Sequence, residues 1–349
     1  MKQIWLYRIV FLSFLGNAQE KDSLTIKVSG YLETYYAYDF SNPITDAKLP
    51  FMYNYNRHNE FNVNNGLIRT HLQYGNTYAS IALHAGTYVQ DNYASEDIKL
   101  ISEAFVGMYL DDNKKSSIEV GIMPSYIGFE SAISNSNLTL TRSLLAENSP
   151  YFMTGIKYNY EPNENWSFSG LVTNGWQRIN KPQKDVTPAF GTQIAYKPSE
   201  KATLNWSTFI GKEFYGTELG MRYFSNLYWD NQWNSKWRTI LGFDFGIQDS
   251  SSQNDTHLYW MSPVLIAQYS INTKWQTAVR LEYYQDEDNV IIATSDAFKT
   301  SGFSWNFDYL PNSKVKLRTE ARYLDAKNPI FNNNKSNNFF LTTSLSFEF

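Results

Sequence analysis

The chain has 349 residues, enough for one large domain or two ordinary ones, and its formal net charge of −4 argues against a nucleic-acid partner. Charged residues make up only 18% and aromatic residues 17%, with a mean hydropathy of −0.45. After the N-terminus no apolar run approaches the ~18 residues of a membrane helix, so the chain is a poor match for a helical membrane protein. A polar chain rich in aromatic residues is typical of a barrel whose strands face lipid on one side and water on the other.

The first residues of the chain have the pattern of an export signal. Lys2 and Arg8 precede a short apolar core at 9–15, and Gly16 and Ala18 place small residues before a cleavage site. We therefore predict a signal peptide over 1–18 and a β-barrel domain over 19–349.

A long strand opens the predicted domain, because apolar and polar residues alternate over 24–40. From there, short turns alternate with longer polar stretches. The first short turn is Gly75-Asn76. The eight longer stretches are 41–59, 90–98, 125–150, 175–188, 212–218, 249–256, 285–297 and 324–338. This alternation of short and long connections predicts an all-β fold. The predicted fold is a transmembrane antiparallel β-barrel of about 16 strands with short periplasmic turns and long extracellular loops.

Two of the predicted strands are irregular. The alternation slips near Gly66, which predicts a β-bulge. Pro263 interrupts the strand over 257–271 and predicts either a bulge or a strand end near the rim.

The chain ends on an alternating strand, residues 339–349, which must pair with the opening strand to close the wall. Its last apolar residues, Phe347 and Phe349, are typical of the terminal strand that the barrel assembly machinery reads. We predict that these two residues form an assembly signal.

Charged residues fall on one face of several strands. A charge at the lipid-facing midplane would cost roughly 2–4 kcal/mol, so these faces must line the interior, which in a barrel of this size is an aqueous channel. The predicted pore-lining residues are Glu33, Glu103, Lys157, Arg238, Asp244, Arg280, Glu282, Lys316, Arg318, Glu320 and Arg322.

Segments in several predicted strands and loops resemble the OmpL-like β-barrel porin family of Gram-negative bacteria, in members of the Bacteroidetes type. They read SGYLETYYAYDF (29–40), EVGIMPSYIGFES (119–131), LVTNGW (171–176), VRLEYYQD (279–286) and RTEARY (318–323). The resemblance implies a channel of the cell outer membrane for passive diffusion of ions and small polar solutes. Outer-membrane lipid and lipopolysaccharide would surround the barrel. Both a monomer and a homotrimer are compatible with the sequence.

The third long loop, 125–150, is a candidate constriction, because it carries more apolar residues than surface loops usually do. Its charged residues are Glu130, Arg142 and Glu147. One hypothesis is that the two glutamates face the basic row at 280 and 316–322 across the lumen and set up a transverse field. The other is that Arg280–Glu282 and Arg318–Glu320 neutralise each other along the wall.

No motif indicates catalysis. None of the four histidines lies in a Gly-x-Ser-x-Gly context or a metal-spaced cluster, so we expect no enzyme activity, no metal and no cofactor. The alternative to a porin is a structural or binding barrel, such as an adhesin or an anchor platform, without an open pore. Uptake of small sugars separates the two.

Overall fold

The computed structural model describes residues 23–181, 183, 186–250 and 256–349; the predicted signal peptide lies outside them. The described residues form sixteen antiparallel strands, in agreement with the predicted number, in a barrel closed by pairing between the first and last. The strands are β1 (Thr25–Asp39), β2 (Phe61–Tyr74), β3 (Thr77–Ala85), β4 (Ile101–Tyr109), β5 (Ser116–Pro124), β6 (Phe152–Asn163), β7 (Trp166–Thr173), β8 (Ala189–Ser199), β9 (Ala202–Tyr215), β10 (Glu218–Gln232), β11 (Trp237–Ser250), β12 (Thr256–Ser270), β13 (Trp275–Asp286), β14 (Phe298–Tyr309), β15 (Val315–Ala326) and β16 (Asn337–Glu348).

Within the described residues, helical structure is confined to the long loops. It consists there of two short α-helices, α1 (Thr87–Asn92) and α2 (Leu144–Glu147), and two 3₁₀ turns, Ser134–Ser136 and Asn332–Asn334. No helix within the described residues has the length and apolarity needed to cross a membrane.

The alternation read from the sequence separates an outer from an inner face. On β14, Phe303, Trp305 and Phe307 are exposed on the outer face, whereas Ser304 and Asp308 are fully buried inside. A period of two produces this division, because successive side chains of a strand point to opposite sides of the sheet. The outer wall is therefore a band of large apolar side chains around a polar interior.

Two sequence-based expectations need correction and a third is confirmed. The stretch 212–218 is not a long loop: β9 and β10 continue to Gly216-Thr217, where positive φ at Gly216 forms a two-residue turn. Pro263 causes neither a bulge nor a strand end, because β12 runs through it opposite Phe243 with the register on both sides unchanged. The bulge predicted near Gly66 is confirmed, and its extra residue is Asn64.

The barrel closes where the last residue of the chain meets β1. Gly30 N donates to Phe349 O, and Phe349 N donates to Gly30 O, both at 3.0 Å. A Cβ atom on Gly30 would overlap the ring of Phe349, so glycine leaves space for the ring at the seam. The terminal residue therefore contributes two backbone hydrogen bonds and a packed ring to the closure.

Deleting Phe349 should lower the yield of folded barrel in the outer membrane, because both closing hydrogen bonds and the ring are lost. Barrels that do form should keep the wild-type conductance, since the residue lies away from the lumen. The measurement is the heat-modifiable folded fraction on gels, with Phe339→Ala, at the other end of β16, as the control. A normal yield of the deletion variant would refute the assembly role of this end.

Candidate functional site

Loop 3, defined here as residues 125–151, folds into the barrel and crosses it. Near its start Tyr126 donates its hydroxyl to Thr208 O of β9 at 2.6 Å. Farther along, Asn135 Nδ2 donates to Glu348 Oε2 at the end of β16, at 3.0 Å. Since the intervening strands separate these contacts around the wall, the loop spans the lumen between them.

The inner face of β15 holds loop 3 through its backbone. Arg318 donates to Ser134 O at 2.6 Å and to Asn137 O and Leu138 O, both at 3.3 Å. Its Nε also pairs with Asp308 Oδ1 at 2.8 Å. The arginine is fully buried, and a buried charge is tolerated only when paired and hydrogen-bonded. Asp308 supplies the counter-charge while the loop carbonyls satisfy the remaining donors.

Two more arginines form a charged lattice with two glutamates. Arg280 on β13 pairs with Glu282 at 3.3 Å and with Glu320 at 2.8 Å, and Arg322 on β15 pairs with Glu282 at 2.6 Å. The intervening strand β14 carries Gly302 opposite Glu282, where a Cβ would lie 2.6 Å from the glutamate side chain. Small residues on β14 thus let charges from two neighbouring strands meet.

Loop 3 lies directly on this lattice. Thr141 N and Oγ1 donate to Glu320 at 2.6 and 2.8 Å, Leu144 N donates to Glu282 Oε2 at 2.7 Å, and Arg322 donates to Arg142 O at 2.8 Å. The side chains of Leu144 and Leu145 in α2 are fully buried against the wall. The apolar residues of the loop therefore pack as the sequence suggested, on strands that also bind its backbone.

Neither of the two charge hypotheses agrees fully with these contacts. The basic row does not face Glu130 and Glu147 across open space, because loop 3 covers the arginines. The wall pairing Arg280–Glu282 exists, but Arg318 pairs with Asp308 rather than Glu320. The sequence could not show this, since the register that sets Asp308 opposite Arg318 depends on the turn between β14 and β15.

The glutamates of loop 3 bind other parts of the loops. Glu147 accepts from Tyr53 N at 3.0 Å and from Asn54 Nδ2 at 3.1 Å, which joins loop 3 to loop 1 (40–60). Glu130 accepts from Ser143 N at 3.0 Å within loop 3 itself. Burial raises the pKa of Glu130, and the positive charge of Arg280 opposes that rise.

Loop 1 also folds inward, which the sequence did not indicate. Lys48 is buried with its Nζ 3.4 Å from Thr342 Oγ1 and 4.3 Å from the centre of the Phe340 ring. Burial lowers the pKa of Lys48 to about 7, although the nearby Asp39 carboxylate opposes the shift. On the wall, Glu33 accepts from Tyr55 of loop 1 and Ser134 of loop 3, both at 2.7 Å.

The remaining predicted residues lie on the inner face of the wall, mostly in pairs. Arg69 binds Glu103, with its Nε 3.1 Å from each carboxylate oxygen. The sequence analysis did not place Arg69 among the pore-lining residues, because the bulge at Asn64 disturbs the alternation of β2. The other pairs are Lys157 with Glu119 at 3.8 Å, Arg238 with Asp230 at 2.6 Å, Lys316 with Asp308 at 3.3 Å, and Asp244 with the Asn226 amide.

Loop 3 lines three cavities along the lumen. The central one, of about 360 Å³, lies between loop 3 and the inner faces of β2–β4 and includes Leu67, Arg69 and Glu103. A second, of about 320 Å³, opens at the short-turn end against 135–138. A third, of about 290 Å³, lies against 147–149 beside Trp176 at the long-loop end. Within the described ranges, no group of three or more metal-ligating side chains occurs.

Comparison with known proteins agrees with this architecture. A family model described as "Putative beta-barrel porin-2, OmpL-like" matches residues 25–349. The outer membrane channel DcaP of Acinetobacter baumannii superposes with a TM-score of 0.65 at 11% identity, over 96% of this chain and 100% of that one.

Two further solved structures share the fold at comparable similarity. The anion-selective porin from Comamonas acidovorans gives a TM-score of 0.61 at 10% identity, over 94% of this chain and 100% of that one. OmpT of Vibrio cholerae, in its trimer form, gives 0.61 at 11% identity with the same coverage. A search of curated proteins finds no match.

Docking of loop 1 should depend on the charge of Lys48. When the loop is released, the lysine regains a pKa of about 10.4, so the released state binds more protons than the docked state between pH 7 and 10. Docking should therefore strengthen as pH rises through this window. The measurement is the ratio of proteolytic cleavage rates in loop 1 for wild type and Lys48→Met. This ratio should fall from pH 7 to 10, and a constant ratio would contradict the role of Lys48.

Replacing Arg318 with Met should release the 134–138 segment of loop 3, because its three backbone carbonyls lose their donor. We expect higher and noisier single-channel conductance, and a loss of about 3–5 kcal/mol in folding free energy, typical of breaking a buried ion pair. The control is Arg238→Met, which breaks a wall pair that does not bind loop 3. Equal conductance in the Arg318 variant and wild type would show that this anchor does not narrow the lumen.

Proposed function

Because the chain belongs to the OmpL-like β-barrel porin-2 family and is an outer-membrane channel, we propose that it passes ions and small polar solutes by diffusion through a lumen narrowed by loop 3. The observation that carries the proposal is that loop 3 lines cavities at the centre and at both ends of the barrel. A solute moving along the lumen would meet this loop at each stage.

The walls of these cavities are suited to polar solutes. Charged side chains line each of them, and half of these side chains form ion pairs, as Arg69 does with Glu103 in the centre and Arg178 does with Glu213 at the long-loop end. Paired charges keep the passage hydrated without one dominant sign, so size becomes the main filter. The proposal includes no enzymatic role, in keeping with a family of porins.

The proposal extends to the surroundings of the barrel. Short turns would face the periplasm and long loops the exterior, with outer-membrane lipid and lipopolysaccharide against the aromatic outer wall. Insertion would use the barrel assembly machinery. A homotrimer is included because OmpT of Vibrio cholerae, which shares the fold, forms one.

A barrel without an open pore is the second candidate. It is favoured by the apolar packing inside the lumen, where Leu140, Leu144 and Phe298 are completely buried. Loops 1 and 3 together fill much of the interior, as they would in a purely structural barrel. Only a measurement of transport separates the two.

Adjacent residues of β2 allow a direct test, because the chain has no cysteine. Leu67 lines the central cavity, whereas its neighbour Ile68 is exposed on the outer face. In planar bilayers, a charged thiol reagent should lower the conductance of Leu67→Cys and leave Ile68→Cys unchanged. Liposomes carrying wild type should also swell in small sugars. Absence of both conductance and swelling would favour the closed barrel.

A further inference from the structure

The cavity at the long-loop end is lined by an arginine without a counter-charge. Arg222 on β10 is only 5% exposed, and it lines this cavity together with Trp176. Among the residues that the structure describes, Arg222 belongs to no ion pair. A largely buried guanidinium without a paired anion is costly, so the binding of an anion beside it is favoured.

One edge of this guanidinium is free. Arg222 Nε donates to Gln248 Oε1 at 3.0 Å, whereas Nη1 and Nη2 donate to no acceptor in the described part of the chain. Neither of these two nitrogens is among the fully occluded polar atoms that lack a partner, so both are in contact with solvent. Nη1 and Nη2 lie on the same edge of the group and can bind the two oxygens of one carboxylate.

The two glutamates of the cavity are bound to other groups. Glu213 accepts from Trp176 N at 2.6 Å and from Arg178 Nη2 at 3.1 Å. Glu147 accepts from Tyr53 N at 3.0 Å and from the Tyr151 hydroxyl at 2.8 Å. Arg178 is therefore neutralised by Glu213, and neither glutamate serves as the partner of the other arginine of the lining.

Two indole rings form a corner beside Arg222. Its Cζ lies 5.4 Å from the centre of the Trp176 ring and 5.6 Å from that of Trp260, and the two rings stand at 81° to each other. Trp260 is 1% exposed, whereas Trp176 is only partly buried and lines the cavity with Val290 and Ile291. A ligand bound to the cation would thus find aromatic and aliphatic surface next to it.

We propose that this cavity is a binding site for small organic carboxylates with a compact apolar body, an inference that deepens the proposed channel function and rests on it. The carboxylate oxygens would accept from Nη1 and Nη2 of Arg222, and the body would lie against Trp176, Val290 and Ile291. An inorganic anion would leave this apolar surface uncovered, and a neutral solute would leave the arginine without a counter-charge.

The size and place of the cavity agree with such a ligand. Its volume of about 290 Å³ is near the lower end of the roughly 300–1,000 Å³ of small-molecule sites, which suits a carboxylate with a single ring. The cavity lies at the long-loop end, against 147–149 of loop 3. A solute that enters from this end would meet Arg222 before it reaches the centre of the lumen.

The test compares three probes of the same shape by calorimetric titration of the detergent-solubilised wild-type barrel. These are benzoate, neutral benzamide and the cation benzamidinium, which share the ring and a planar head group. We expect benzoate to bind about tenfold more tightly than benzamide, and benzamidinium most weakly, because benzoate alone forms a charge-assisted pair with the arginine. Equal affinity of benzoate and benzamide would overturn the proposal without requiring any variant to fold.

Variants then locate the site. Arg222→Met should lower the affinity for benzoate about tenfold, to that of benzamide, and Arg222→Lys should fall between, because lysine keeps the charge but not the two-nitrogen edge. Trp176→Leu should weaken benzoate more than acetate, which has no ring. The control is Arg57→Met: Arg57 pairs with Asp91 at 2.7 Å and does not line this cavity. Wild-type affinity for benzoate in Arg222→Met would overturn the assignment to this cavity.

The proposed channel and the proposed site fail in different ways. In planar bilayers, benzoate added on the long-loop side should reduce the ion current at lower concentration than benzamide. If wild type carries no current but benzoate still binds selectively in the titration, the channel proposal fails and the site stands in a closed barrel. If current flows and benzoate binds no more tightly than benzamide, only the site is refuted.

Discussion

The interior of this barrel depends on three buried arginines that bind the backbone of loop 3. Arg280, Arg318 and Arg322 face the lumen from β13 and β15, and each donates to at least one carbonyl of the loop while pairing with a wall carboxylate. Backbone carbonyls are acceptors that no substitution removes. The course of the loop is therefore tied to the wall more than to its own side chains.

The ion pairs of these three arginines couple the stability of the wall to the docking of loop 3. Three guanidinium groups without counter-charges could not be buried, since the penalty for each ion would be several kcal/mol. Asp308, Glu282 and Glu320 offset that penalty, and loop 3 donates further hydrogen bonds to the two glutamates, from Thr141 to Glu320 and from Leu144 to Glu282. Removing loop 3 would expose these ion pairs to water. Removing the three arginines would leave the loop carbonyls that they bind without these donors.

Sequence reasoning succeeded where one local rule decides the structure. Because side chains alternate with period two and charges cannot face lipid, Phe303 could be placed outside and Asp308 inside, and the number of strands followed from the turns. It failed at 212–218, where the polar pattern of a loop is also the pattern of strands that extend beyond the apolar band. Polarity alone does not end a strand.

The interior was less predictable because it depends on contacts distant in sequence. The apolar residues of loop 3 indicated that it would pack, but many of its partners lie more than 100 residues away, as Arg318 lies 180 residues from Leu138. Nothing in 41–59 indicated that Lys48 would be buried beneath β16. Such positions are set by the closure of the whole barrel, which brings the first and last strands together.

The distribution of paired and unpaired charges determines the electrostatic field inside the lumen. Around most of the wall, cations and anions neutralise each other over a few ångströms, so their fields decay within a short distance of the surface. Among the charged residues that the structure describes, buried polar atoms without a hydrogen-bond partner occur on Glu130, Arg142, Arg178 and Arg322. In the proposed channel, solute width would therefore be the main filter along the paired stretches of the wall.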